Sequence, residues 1–178
     1  MTINTMLVLI LGVFCYFFLP FIILSCVKNE KIKKIIAIIL LSLFIVILLV
    51  GTWGKLEIGK DVVRINFDFS GKCCDKKINF SFNNLQPFDI IVNLIMMIPI
   101  GMFVVILYNK NFVKMMFLLL IVGFLSGFFI EFTQFVLPIQ RNVQLSDVIF
   151  NMISVLMGGL ICRIYIAILN CVNNLKTN

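Results

Sequence analysis

The sequence predicts an all-α integral membrane protein: five transmembrane helices, with a long polar loop between the second and the third. Three observations predict it. Hydrophobic residues make up 62% of the chain and charged residues only 13%, where a soluble domain carries about 25% charged residues. Five apolar runs reach the ~20 residues that a helix needs to cross a bilayer core. The connections between them are short and basic except for one, which is long and mixed in charge.

The first run extends from Thr5 to Val27. It has no basic start, and it exceeds the apolar core of a signal peptide, about 7–15 residues, so it reads as a retained helix. "KNEKIKK" (28–34) follows, and then a second run from Ile35 to Trp53. Residues 54–86 form the long loop. Within it "VVRINFDFSGK" and "KINFSF" alternate apolar with polar residues, joined through Gly71, Cys73 and Cys74. That alternation predicts a small β-hairpin or cap. The third run spans Pro87 to Tyr108, with Pro99 and Gly101 expected to kink it. The fourth spans Met115 to Leu137, where Pro138 stops it, and the fifth spans Ser146 to Asn170. The chain divides into a first helix with its basic loop (1–34), a membrane domain (35–170) and a short polar tail (171–178).

Charge sets the orientation. Lys28, Lys31, Lys33, Lys34, Lys110, Lys114, Arg163 and Lys176 fall on one side. Arg141 and six diluted basic residues of the long loop fall on the other, partly offset by Glu57, Asp61, Asp68 and Asp75. Basic short loops stay inside. The expectation is therefore a multi-pass protein of the cell membrane, its N-terminus and long loop extracytoplasmic and its C-terminus cytoplasmic. The net charge of +7 fits contact with anionic lipid better than nucleic acid, and no nucleic-acid partner is expected. There is no histidine, which removes the commonest general base and metal ligand. The six cysteines contain no CxxC spacing, so neither zinc nor haem is expected. Cys73 and Cys74 would form a strained vicinal disulfide only in an oxidising space.

"EFTQFVLPIQRNVQLSDVIFN" (131–151) is the unusual stretch. It places Glu131, Gln134, Arg141, Asp147 and Asn151 between two apolar runs. Asn93 lies six residues inside the third helix and Glu131 six residues from the end of the fourth, so each sits about 9 Å from its helix end. Asp147 and Asn151 occupy the first turns of the fifth helix. Asp89 and Asn93, Glu131 and Gln134, and Asp147 and Asn151 each share one helix face. These polar stripes converge at one depth, in the leaflet beside the long loop. Carboxylates there cost about 2–3 kcal/mol and usually face a bundle interior or wet cavity. The bland alternative is that pairs such as Glu131–Arg141 and Asp147–Asn93 only tie helices together. Gly123 and Gly127, with Ser126, and Gly158 and Gly159, with Ser154, form small-residue ridges for close packing of the fourth and fifth helices. Homodimerisation is the other use of such ridges.

"NLIMMIPIG", with the later Glu-x-x-Gln, Arg, Asp, Asn and small-residue helix, resembles the VanZ-like family of bacterial membrane proteins over roughly 35–165. The matching positions are Asn93, Pro99, Gly101, Glu131, Gln134, Arg141, Asp147, Asn151, Gly158 and Gly159. Ser154 stands where many members have glycine, and the first helix shows no matching pattern. The resemblance implies a link to low-level teicoplanin resistance or an ordinary envelope role. Three readings compete. In the first, the polar layer binds a lipopeptide or a lipid-linked envelope precursor without chemistry, beside ordinary membrane lipids. In the second, a membrane enzyme uses Glu131 as general base, or Glu131 and Asp147 with a divalent ion. In the third, a small transporter or flippase moves protons through its carboxylates. The first is preferred, with no catalytic residue, no cofactor and no resident metal.

Overall fold

The computed structural model describes residues 17–53, 55–58, 63–66, 78–79, 87–108, 111–137 and 143–177. The chain runs α1 (Phe17–Cys26), α2 (Glu30–Trp53), β1 (Lys55–Ile58), β2 (Val63–Asn66), β3 (Ile78–Asn79), α3 (Pro87–Met96), α4 (Ile98–Leu107), α5 (Phe112–Val136), β4 (Val143–Gln144) and α6 (Leu145–Thr177). Among the described residues, four helical stretches are long and apolar enough to cross a membrane: Glu30–Val50, Ile90–Leu107, Phe112–Val136 and Leu145–Leu175. The described part of α1 is shorter, and the rest of the expected Thr5–Val27 helix lies outside the described residues.

Local chemistry sets the helix starts. The Asn29 side chain accepts from the backbone N–H of Lys31 and Ile32, at 2.9 and 3.3 Å, and so caps α2 before its first apolar residue. Asn111 caps α5 in the same way, accepting from Val113 N–H at 3.0 Å. Both caps extend the helix N-terminally past the expected apolar run. α6 begins at Leu145 and continues as helix through the polar tail to Thr177. At 1.5 Å per residue a helix of this length outruns a ~30 Å bilayer core.

The expected third helix is two helices. Met97 forms a turn between α3 and α4. Pro99 sits at the second position of α4, where its missing N–H costs nothing. The break lies two residues before the proline because the ring obstructs the preceding turn. α4 is apolar all round and buried from Pro99 to Ile106, as a helix at the centre of a bundle must be. It packs on α6, α2 and α5, and α5 packs along α6. The core is Met97, Met102, Val105, Met115, Leu119, Val155 and Cys162. Outward faces are also apolar. Phe124, Phe128 and Phe132 form an exposed ladder on α5, neighbouring rings stacked at 6.1 Å. A solvent-facing protein could not carry that surface, whereas lipid accepts it.

The hairpin in the long loop differs from the expected one. β1 pairs antiparallel with β2, Leu56 opposite Ile65. β3 does not join it but pairs parallel with β4, Ile78 opposite Val143. A short connection closes the β1–β2 pair at little entropic cost, which leaves the 78–79 segment for a distant partner. The β3–β4 pair fastens the long loop to the connection between α5 and α6, so both lie on one side of the bundle.

Candidate functional site: a buried polar layer under the long loop

The layer is assembled by close helix packing. α5 and α6 run antiparallel, and Gly127 lets them touch. A Cβ added there would lie 3.1 Å from Val148 Cα and 3.2 Å from Asn151 Cβ. Gly123 makes the next contact down, against Met152 Cα at 2.9 Å. One turn beyond Gly127 toward the loop comes Glu131. One turn before Asn151 in the same direction comes Asp147. Glu131 and Gln134 are buried, each 5% exposed, and Asn151 is 1% exposed.

Glu131 has a defined task. Its Oε2 accepts a hydrogen bond from the Gln144 backbone N–H at 2.9 Å. Gln144 directly precedes α6, so the carboxylate caps that helix from its neighbour and lies at its positive end. Asp147 is half-buried on the first turn, with the Ser146 hydroxyl 3.5 Å from its Oδ1. Asn151 is different. Its side-chain Oδ1 is buried, and among the described residues no group donates to it. A buried carbonyl without a donor costs about 1–3 kcal/mol.

The third stripe joins through the crossing of α3, α4 and α6. The Met97 N–H donates to the buried Ser154 Oγ at 3.0 Å. Asn93 is one turn before Met97 and Asn151 one turn before Ser154. α3 and α6 both enter from the loop side, so Asn93 and Asn151 stand at one level. Asn93 is half-buried there. The helices meet backbone to backbone at this crossing. A Cβ on Gly101 would strike the Val155 carbonyl oxygen, and one on Gly158 the Ile98 carbonyl oxygen. Gly159 faces Leu119 of α5 instead. The expected ridge of α6 therefore serves two neighbours: Ser154 and Gly158 face α3 and α4, while Gly159 faces α5.

The structure thus brings Glu131, Gln134, Asp147 and Asn151 to the α5–α6 seam, with Asn93 level with them on α3. Arg141, Cys73, Cys74 and Pro138 lie outside the described residues, as does the side chain of Asp89. Among the described residues no three His, Cys, Asp or Glu side chains gather as a metal site. Sequence reasoning missed two participants. Ser154 reads as a packing residue, yet its hydroxyl satisfies the helix break at Met97. The signal was Pro99, which interrupts the hydrogen-bond ladder nearby and so calls for an outside partner. Gln144 takes part through its backbone, which leaves no trace in side-chain chemistry.

A scan against protein families matches the VanZ/LLP1 family over residues 5–167. The match takes in the first apolar run as well as the polar layer. No curated protein and no solved structure matches the chain.

Proposed function

The chain belongs to the VanZ/LLP1 family, and on that premise we propose that it is a non-enzymatic binding protein of the bacterial cell envelope. Its polar layer holds the head of an amine-bearing lipoglycopeptide of the teicoplanin type or of a lipid-linked envelope precursor. One observation carries the reading: Asn151 Oδ1, buried without a donor among the described residues, on the same α5–α6 seam as the buried Glu131 and Gln134. A layer built only to tie helices would pair that oxygen. A ligand N–H or O–H would supply the missing donor. Two carboxylates suit an amine better than a phosphate, and Arg141, which the sequence places between α5 and β4, would meet a carboxylate of the ligand.

The proposal includes five spans, with the N-terminus and long loop outside and the C-terminus inside, as the lysine distribution implies. An impermeant maleimide applied to intact cells after mild reduction should label Cys73 or Cys74. Labelling of these two only after the cells are opened would reverse the orientation.

The functional test is teicoplanin susceptibility in a susceptible Gram-positive host. Wild type is run beside Glu131→Gln and Arg141→Ala, all at equal membrane abundance. Glu131→Gln keeps an oxygen for the Gln144 N–H and removes only the charge. Protection by wild type, lost in both variants, is the expected result. Protection retained by both would reduce the layer to helix ties.

A further inference from the structure

A second concavity lies at the other end of the bundle. A groove of about 670 Å³ opens between the end of α1, the start of α2, the end of α4 and the last turns of α6. From Asn151 to Leu169 along α6 is about 27 Å, close to the thickness of a bilayer core of about 30 Å. The groove therefore opens at the membrane face opposite the polar layer.

Its walls and its rim differ in chemistry. Leu24, Ile106, Ile166 and Leu169 form apolar walls, while Lys28, Lys33, Asn170 and Asn173 bring polar groups to it. The inner end is firm. Ser25 Oγ and Tyr165 Oη share a hydrogen bond of 2.6 Å, and the Phe21 ring stands edge-on to Tyr165 at 4.6 Å. The Lys33 side chain is only 13% exposed, and its Nζ lies 2.6 Å from Glu30 Oε1. Glu30 reaches in from solvent, 71% exposed, and also lines the groove. The lining thus holds two lysines and one carboxylate, and it is net positive.

We propose that this groove is a binding site for an anionic phospholipid of the bilayer, with the phosphate between Lys28 and Lys33 and the upper acyl chain against Leu24, Ile106, Ile166 and Leu169. Three features select a lipid over a soluble anion. The apolar walls have no use for free phosphate. The volume suits a head group with the first part of its chains, since ligand sites run from about 300 to 1,000 Å³. Basic pockets between transmembrane helices are also where anionic head groups settle. Lys28, which is exposed, supplies charge to the phosphate, and the Glu30–Lys33 pair holds the second ammonium at the rim.

The test uses the full chain, purified in detergent and stripped of lipid. It is offered phosphatidylglycerol or phosphatidylcholine, and retained lipid is counted by native mass spectrometry. Wild type should retain phosphatidylglycerol preferentially. Lys28→Gln should weaken that preference roughly fivefold, and the Lys28→Gln/Lys33→Gln pair roughly twentyfold, the scale expected for one cationic side chain each near an anionic surface. Lys28→Arg should restore it. Lys31→Gln/Lys34→Gln, which removes neighbouring lysines outside the groove, should leave it intact. The single Lys28 variant keeps the test decisive if the double variant unfolds. Equal retention of the two lipids by wild type would overturn the site, as would an equal loss in the Lys31/Lys34 variant. An excess of inorganic phosphate should leave the lipid bound. Displacement by phosphate alone would transfer the site to a soluble anion and end the lipid assignment.

Discussion

The crossing of α4 over α6 and the polar layer one turn above it are made from similar residues. Both contain small side chains and buried polar groups, and both face α6. They differ in satisfaction. At the crossing, Ser154 Oγ receives the Met97 N–H, and the glycines leave no space between the backbones. At the layer, Glu131 receives the Gln144 N–H, yet Asn151 Oδ1 one turn away receives nothing from the described residues. A buried polar group with its partner made is a structural device. A buried polar group without one costs stability and calls for another use. The same distinction separates helix glue from a binding site in a membrane, where lipid offers no donor as a substitute.

The largest effect should come from the crossing. Gly158→Ala drives a methyl into the Ile98 carbonyl, and Gly101→Ala drives one into the Val155 carbonyl. Neither neighbour is the tip of a flexible side chain, so helices must separate. Each variant should lose about 3 kcal/mol, read as a fall in the unfolding midpoint in detergent and as poor accumulation in membranes. Gly159→Ala meets only the end of the Leu119 side chain and should cost less. Equal losses for all three would mean that α4 and α6 do not approach through Gly101 and Gly158.

Next comes the cap on α6. Glu131→Ala removes the acceptor of the Gln144 N–H and should cost about 2 kcal/mol, the range for a hydrogen bond to a charged group. Glu131→Gln retains an acceptor and should cost less than half of that. If both variants match wild type by thermal unfolding, the carboxylate is not the anchor of the α5–α6 connection. Ser154→Ala should be milder, about 1 kcal/mol, since single side-chain hydrogen bonds between membrane helices are worth about that or less. The same melting experiment checks it.

The helices were legible because an apolar run of membrane length leaves little choice. The layer was legible too, because a carboxylate inside such a run is costly enough to be noticed, and helical spacing then places Glu131 with Gln134 and Asp147 with Asn151. The five-span count goes only as far as the four long apolar helices among the described residues. Three details were hidden. The break at Met97 rather than at Pro99 follows from the ring acting on the turn before it. The pairing of β3 with β4 joins residues 78–79 to 143–144, and a distant pair of two-residue strands leaves no local pattern. The alternating "VVRINFDFSGK" and "KINFSF" suggested a hairpin with each other, but the residues before the first of them were the nearer partner. Lys28 and Lys33 were read only as markers of the inner side, because sequence shows charge without showing the groove it borders.

The smallest stability effect is expected at the residue that matters most to the comparison. Leucine has the branched heavy-atom skeleton of asparagine in a somewhat larger volume, and among the described residues Asn151 Oδ1 makes no hydrogen bond to lose. Asn151→Leu should therefore leave stability within about 0.5 kcal/mol of wild type or raise it, because an unpaired buried polar group is replaced by an apolar one. A helix tie predicts the opposite, a loss comparable to Ser154→Ala. Function separates the readings again. If the oxygen waits for a donor on a ligand, Asn151→Leu keeps the fold and loses teicoplanin protection, while Asn151→Asp, which keeps an oxygen at that place, retains part of it. A variant that melts like wild type and still protects would remove Asn151 from the site. A variant that melts early would return it to the same class as Ser154, and the difference between the two regions would disappear.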